Sequence, residues 1–287
     1  MLFAPMIKNL LVSAILMVSA SFAQAQDWRS ADRSSAGLAP LPEKESRAVV
    51  QVYAARTLRW RKYFAVHSWI ATKEAGASEY QTYHVIGWRA RWGQSVVVVQ
   101  PGVPDARWFG HEPDLLLDLR GPAAARAIPK IQAAVASYPY PNDYRVWPGP
   151  NSNTFISHIL RNTPELGIEL PPTAIGKDWI RDGALAGMSE SGTGVQVSLL
   201  GVLGLTVGVN EGLELNLLGM SFGLDVMRPA VKLPFIGRIG MRDSPVFEPA
   251  IDGEEVKIPV QTAIKKEEAV VPASLPRREL RSERKVY

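Results

Sequence analysis

The chain has 287 residues, 46% of them hydrophobic, which is enough for one sizeable core or two small ones and too apolar for a disordered protein. Its 32 Lys and Arg against 28 Asp and Glu leave a net charge of +4, an excess too small to argue for nucleic acid as a partner. The absence of cysteine excludes a disulfide, a zinc–thiolate site, a lipid-modified cysteine and a cysteine nucleophile.

At the N-terminus Lys8 precedes an apolar run, Leu10 to Phe22, that ends in Ala23-Gln24-Ala25. This is the pattern of a secretory signal peptide spanning 1–25, cleaved before Gln26. The run is shorter than the ~20 residues a membrane-spanning helix needs, so an uncleaved anchor is the lesser alternative. The mature protein is therefore expected to be exported, and to be periplasmic if the source is Gram-negative. Residues 26–46 are polar, with Pro40 and Pro42, and read as an irregular lead-in.

Residues 47–186 form the first expected folded unit. Val49 to Tyr53 opens a strand region, and Phe64 to Ala71 and Tyr83 to Trp88 are strand candidates joined by the hairpin loop "KEAGASE". Between them "RTLRWRKYF" (Arg56 to Phe64) interleaves basic and aromatic residues, a pattern that suits an anionic partner. An edge strand protected by its own charge is the plainer reading and is preferred. Ser95 to Gln100, with four valines in a row, predicts a short buried strand, and "PGVPDARWFGHEPD" a loop carrying Trp108, Phe109 and His111. Gly121 to Ser137 predicts a helix, with Pro129 near its start or kinking it. The proline-rich "YPYPNDYRVWPGPN" then leads to "NSNTFISHIL", a helix starting near Ser152.

Residues 187–247 change texture. Their alternating, glycine-rich run suggests a β-hairpin or meander around Asn210-Glu211-Gly212. Its apolar content could suit a membrane, but Glu211, Glu214 and Asn216 interrupt it, which favours a sheet packed on the first unit. Residues 248–287, with "IKKEEA" and "PRRELRSERK", read as a charged, solvated or disordered tail.

Few residues suggest chemistry. His67 alternates with Trp69 on one strand face and is either a base in a semi-enclosed space or a core histidine bonded to backbone. His84, on the neighbouring strand, either orients it or is exposed. His158 follows Ser152 by six residues, well over a turn, and cannot easily reach back to it. No H-E-x-x-H or comparable spacing is present, so neither a metal site nor a cofactor is expected, and no G-x-S-x-G elbow or S-x-x-K pair surrounds Ser152. Asp105, Glu112, Asp114 and Asp118 cluster loosely, which leaves a paired-carboxylate glycosidase open, although such clusters are usually surface charge. Ser152 lies where backbone N–H groups and the helix dipole favour negative charge; the alternative is a simple helix cap.

The stretches "FAVHSWIATK", "YHVIGW", "GPNSNTFISHILR" and "LPPTAIGKDW" closely resemble a family of uncharacterised bacterial proteins, domain of unknown function 3750, from about Tyr53 to Gly240. In layout, "AVHSW" followed later by "NSNTF" also resembles circularly permuted papain-like proteins related to NlpC-type hydrolases, with Ser152 in place of their cysteine. That second resemblance implies an α+β fold, a papain-like antiparallel sheet with helices, followed here by the Gly-rich β region. It implies Ser152 as nucleophile and His67 as base, with Asn151, Asn153, Trp69 and His84 as candidates for an oxyanion or substrate site. Two functions stay open: a serine-dependent amidase or acyl hydrolase of cell-envelope peptide or lipid, and a non-catalytic cleft that binds an envelope peptide, glycan or lipid. A peripheral membrane contact is a further expected partner.

Overall fold

The computed structural model describes residues 30–181 and 184–241. The expected signal peptide (1–25) and charged tail (248–287) lie outside the described residues. The architecture is α+β, as expected, with two antiparallel sheets and two α-helices among the described residues.

The first sheet is ordered β4-β3-β2-β1-β5, from β1 (Val49–Arg56), β2 (Val66–Lys73), β3 (Gln81–Val85), β4 (Val97–Pro101) and β5 (Pro113–Arg120). The β2–β3 loop falls at the expected hairpin. The valine-rich β4 is a correction: it is the sheet's edge and half exposed, with only Val96 before it fully buried. "RTLRWRKYF" is another, because Arg59–Tyr63 forms a 3-10 turn between β1 and β2 with no buried residue. β5 was not foreseen, since three consecutive leucines give no alternation to read.

Helices α1 (Pro122–Ala136) and α2 (Ser152–Asn162) cover one face of this sheet. Ala127, Ile128 and Ile131 of α1 and Phe155, Ile156 and Ile159 of α2 meet Val52, Val66 and Ile70 in one buried cluster. Pro129 lies inside α1. It offers no N–H, so the Ala125 carbonyl loses its helical partner, a cost of the kind that burial of the neighbouring Ile128 and Ile131 opposes. The opposite face of the sheet holds Tyr53, Trp69, Ala71 and Tyr80.

The second sheet is a meander in strict chain order, β6 (Ala186–Met188), β7 (Gly194–Leu199), β8 (Leu203–Gly208), β9 (Gly212–Leu217), β10 (Met220–Asp225), β11 (Ala230–Leu233) and β12 (Gly237–Gly240). Its two faces are reversed relative to a sheet that packs its apolar side inward. The cross-strand row Gln196–Thr206–Glu214–Gly223–Lys232 is buried, whereas the adjacent row Val197–Leu205–Leu215–Phe222 is exposed.

The buried face is satisfied by "GKDW". Lys177 pairs with Glu214, and the Asp178 carboxylate accepts hydrogen bonds from Gln196, Asn216 and Ser221. Lys232 pairs with Glu169 and Glu214. Gly223 makes room for this contact, since a Cβ there would lie 3.0 Å from Glu214 Cγ and 3.2 Å from Lys232 Cδ. Burial opposes the charges, but Glu214, Asp178 and Glu190 hold Lys177 well above its ordinary value, and Lys177 and Lys232 hold Glu214 below its own. Burial and then the Glu214 charge push Glu169 well above the carboxylate range, opposed by Lys232 and Lys177.

Candidate functional site

The site is built where the first sheet comes apart. β2 and β3 pair only at Thr72–Gln81, Ala71–Thr82 and Ile70–Tyr83. Beyond Ile70 the strands splay, and β3 continues its ladder with β4 alone. His67 and His84 flank the gap, their rings edge-to-face with centroids 5.9 Å apart.

The N-terminus of α2 is fixed beside this gap by two asparagines. Asn151 is the N-cap: its side-chain oxygen accepts from the N–H groups of Asn153 (2.9 Å) and Thr154 (3.2 Å), while the Thr154 hydroxyl accepts from the Asn151 N–H (3.1 Å). This reciprocal cap satisfies donors that a helix start otherwise leaves unpaired. The Asn151 amide donates to the carbonyls of Val146 and Ile175. Asn153 donates to the carbonyls of Val66 (3.1 Å) and Ile175 (2.8 Å) and accepts from the Ser68 hydroxyl (2.9 Å). Each amide therefore spends its two protons on backbone. Neither side chain is left with a donor for an oxyanion, the role the papain-like resemblance suggested.

Ser152 is the first residue of α2, one position past the cap. Among the described residues neither its hydroxyl nor its backbone N–H has a hydrogen-bond partner. Both sit at the positive end of the helix dipole.

His67 points away from α2. Strand alternation puts Ser68 on the helix side, bonded to Asn153, and His67 on the side of Trp69. The imidazole lies flat on the Trp108 indole, centroids 3.7 Å apart and planes 11° from parallel, and stacks on Trp69 at 5.9 Å. No hydrogen bond joins it to Ser152, and its Nε2 is buried without a partner, as is Nε2 of His84. Burial, helped by His84, pulls His67 well below the ordinary histidine value, and burial lowers His84 to about 4. Both rings are neutral near pH 7. Trp69 is anchored by its indole N–H to the Pro104 carbonyl, at 2.7 Å.

A cavity of about 710 Å³ passes the start of β2 and is reached from both sides by His67 and Ser152, together with Asn151 and Asn153. Its walls carry seven aromatic rings, including Trp60, Phe64, Trp88, Tyr144 and Trp147, and two arginines, Arg61 and Arg91. No acidic side chain lines it. A second cavity of about 460 Å³ holds Trp69, His84 and Arg89, and Trp88, Trp108 and Phe109 line both.

The shared wall is a tight turn. Trp108 and His111 exchange backbone hydrogen bonds across Phe109 and Gly110, which have φ of 52° and 88°. A bulky residue at positive φ is strained, and here Arg33 over the Phe109 ring at 4.5 Å and Trp108 against its edge hold it.

The remaining candidates are structural. Asp105 accepts from Ser35 and from the backbone of Leu38 and Ala39, and Asp118 pairs with Arg120. His158 faces the Ala134 carbonyl and Ser137. Burial, then Lys62 and Arg56, lowers His111. Among the described residues no group of three or more His, Asp or Glu is placed to hold a metal ion. Sequence reasoning passed over Trp88, Tyr144 and Trp147; "GWRARW" repeats the basic–aromatic texture of "RTLRWRKYF" and was the available signal.

No curated protein and no solved structure matches the chain. Residues 47–179 match the model of the family described as "Protein of unknown function (DUF3750)", a span that runs from the entry to β1 through "GKDW" and stops before the second sheet. That segment, which contains the splayed strands, the capped helix and the cavity, is the part of the chain that matches the DUF3750 family.

Proposed function

We propose that this protein is an exported, non-catalytic module whose large cavity binds an anionic, ring-bearing component of the cell envelope, a glycan or glycopeptide carrying carboxylates. The observation that carries this reading is the lining: seven aromatic rings and two arginines with no acidic side chain, around about 710 Å³. Indole faces stack on the apolar faces of sugar rings, arginines pair with carboxylates, and the unpartnered Ser152 N–H and hydroxyl add donors at the positive end of α2. The test is a titration with soluble disaccharide-peptide fragments of peptidoglycan, followed by tryptophan fluorescence. Saturable binding weakened about 10-fold by Trp88→Ala or Arg91→Ala is expected, as each contact of this type contributes on the order of 1–1.5 kcal/mol. Binding that both substitutions leave unchanged would remove the reading.

A second reading, a serine-dependent acyl hydrolase, draws on one observation: the free Ser152 hydroxyl and N–H share a cavity with the unpartnered Nε2 of His67. Against it stand the lack of a Ser152–His67 hydrogen bond and the weak basicity that burial imposes on His67. Turnover of ester or amide reporters, lost in Ser152→Ala and in His67→Ala alike, would put this reading in place of the first.

A further inference from the structure

We propose that the exposed face of the second sheet, together with the hairpin tips at one of its ends, docks on an anionic phospholipid surface. The face is unlike a water-facing sheet. Two adjoining cross-strand rows, Val197–Leu205–Leu215–Phe222 and Val195–Val207–Leu213–Leu224–Val231–Ile239, are apolar throughout and exposed. With strands ~4.8 Å apart and ~3.4 Å per residue, the longer row runs roughly 25 Å across six strands and the two rows lie about 7 Å apart, so that with the width of their side chains the patch covers on the order of 350 Å². That reaches the range of the largest apolar patch of an ordinary monomer, ~300–600 Å². The polar partners that would favour the opposite orientation are already committed to Lys177, Asp178 and Lys232 inside, so the sheet cannot turn over to hide its leucines.

The tips give a second, independent observation. The turns after β7, β9 and β11 lie at the same end of the meander, and each carries a large apolar residue at positive φ: Leu200 (50°), Leu218 (54°) and Phe235 (70°). A water-facing hairpin would place Asn, Asp or Gly there without strain. Leu218 is instead 60% exposed and Phe235 50%. Strain retained at an exposed apolar tip is what insertion into hydrocarbon would use.

Charge identifies the partner. One of these tips adjoins the basic–aromatic turn, where Phe235 meets Phe64 edge-on at 6.0 Å, and another carries an interfacial-type aromatic, the Trp147 indole N–H donating to the Leu218 carbonyl at 2.8 Å. Phe64 follows Arg59–Tyr63, which presents Arg59, Lys62, Trp60 and Tyr63 to solvent and contains no acid. Trp and Tyr flanked by Lys and Arg beside an aliphatic surface is the composition of a membrane interface with anionic headgroups. A second copy stacked on the leucine face would leave this basic rim without a counter-charge. Among the described residues no helix is long and apolar enough to cross a membrane, so the contact proposed is peripheral.

The cysteine-free chain allows a local test. Full-length protein carrying Leu205→Cys, Leu218→Cys or, as a control on α1, Arg126→Cys is labelled with an environment-sensitive fluorophore. It is then mixed with vesicles of phosphatidylglycerol in phosphatidylcholine, or of phosphatidylcholine alone. The two sheet labels are expected to shift blue and to be quenched by brominated acyl chains, while the α1 label does not respond. Local labels separate this face from any contact made by residues 1–29. Replacing both Arg59 and Lys62 by Gln should weaken the phosphatidylglycerol response roughly 30-fold, taking about 1 kcal/mol per basic residue. No response at the sheet labels, equal response to neutral vesicles, or sheet labels shielded before lipid is added in a dimer seen by native mass spectrometry would each overturn the proposal. The glycopeptide titration proceeds without vesicles, so either result can fail alone.

Discussion

Replacing Asn153 by alanine removes two donated hydrogen bonds and leaves the fully buried Ser68 hydroxyl without its acceptor. Unsatisfied buried groups cost about 1–3 kcal/mol each, so Asn153→Ala should lower stability by about 3 kcal/mol in urea denaturation, with an unchanged slope. Ser152→Ala breaks no hydrogen bond and should stay within about 0.5 kcal/mol. A loss of stability in Ser152→Ala as large as in Asn153→Ala would show that Ser152 holds the fold after all. These neighbours mark how far single residues were legible. "NSNTF" announced a helix start with a polar residue to spare, but Ser, Asn and Thr all cap well, and spacing alone could not say which was the cap. The capping box uses Asn151 and Thr154, an Asn-x-x-Thr spelling of a motif usually read from Ser or Thr followed by Glu or Gln. Nor could alternation tell whether His67 or Ser68 faces α2, because a period of two has two equivalent phases.

The second sheet carries the same ambiguity across a whole element. Its strands and the hairpin near Asn210-Glu211-Gly212 were readable from alternation and glycine, and Lys177 and Asp178 of "GKDW" bond to residues of its inner face. Glu211, Glu214 and Asn216 interrupt the apolar run in sequence, yet they occupy the inner face and leave the outer one unbroken. The missing information was the partner of the inner face, Lys177 and Asp178, more than thirty residues upstream in sequence from Glu214 and Asn216. Two substitutions separate the faces. Leu218→Asn relieves a bulky residue at φ 54° at an exposed tip and should raise stability by about 1 kcal/mol. Lys177→Met uncovers the Glu214 carboxylate at the centre of the buried network and should cost about 3–5 kcal/mol. Thermal denaturation of the pair reads both signs; stabilisation by Lys177→Met would mean that the buried ions do not hold the sheet to the first unit.

For the molecule as a whole, the two unpartnered histidines make stability depend on pH in a way that can be isolated. His84 titrates near 4 in the fold and at its ordinary value of about 6.5 when unfolded, with His67 displaced in the same direction. Between those limits the unfolded chain binds more protons than the folded one, so this contribution is fully present above pH 6.5 and is lost as pH falls towards 4. For His84 alone the shift corresponds to on the order of 3 kcal/mol. Glu169 and Glu190 run the other way: burial raises both, so their contribution is present at low pH and is lost as pH rises from the carboxylate range. The total pH profile therefore mixes opposing slopes, and the informative quantity is the difference between wild type and His84→Gln, which cannot take up the proton. Measured by urea denaturation at intervals from pH 7.5 to 4, the variant should gain on wild type by on the order of 3 kcal/mol as the pH drops, with most of the gain below 6.5. A difference that stays flat would mean that His84 is solvated or paired in solution. It would also mean that the gap between β2 and β3, which the two histidines flank, does not bury them as described above.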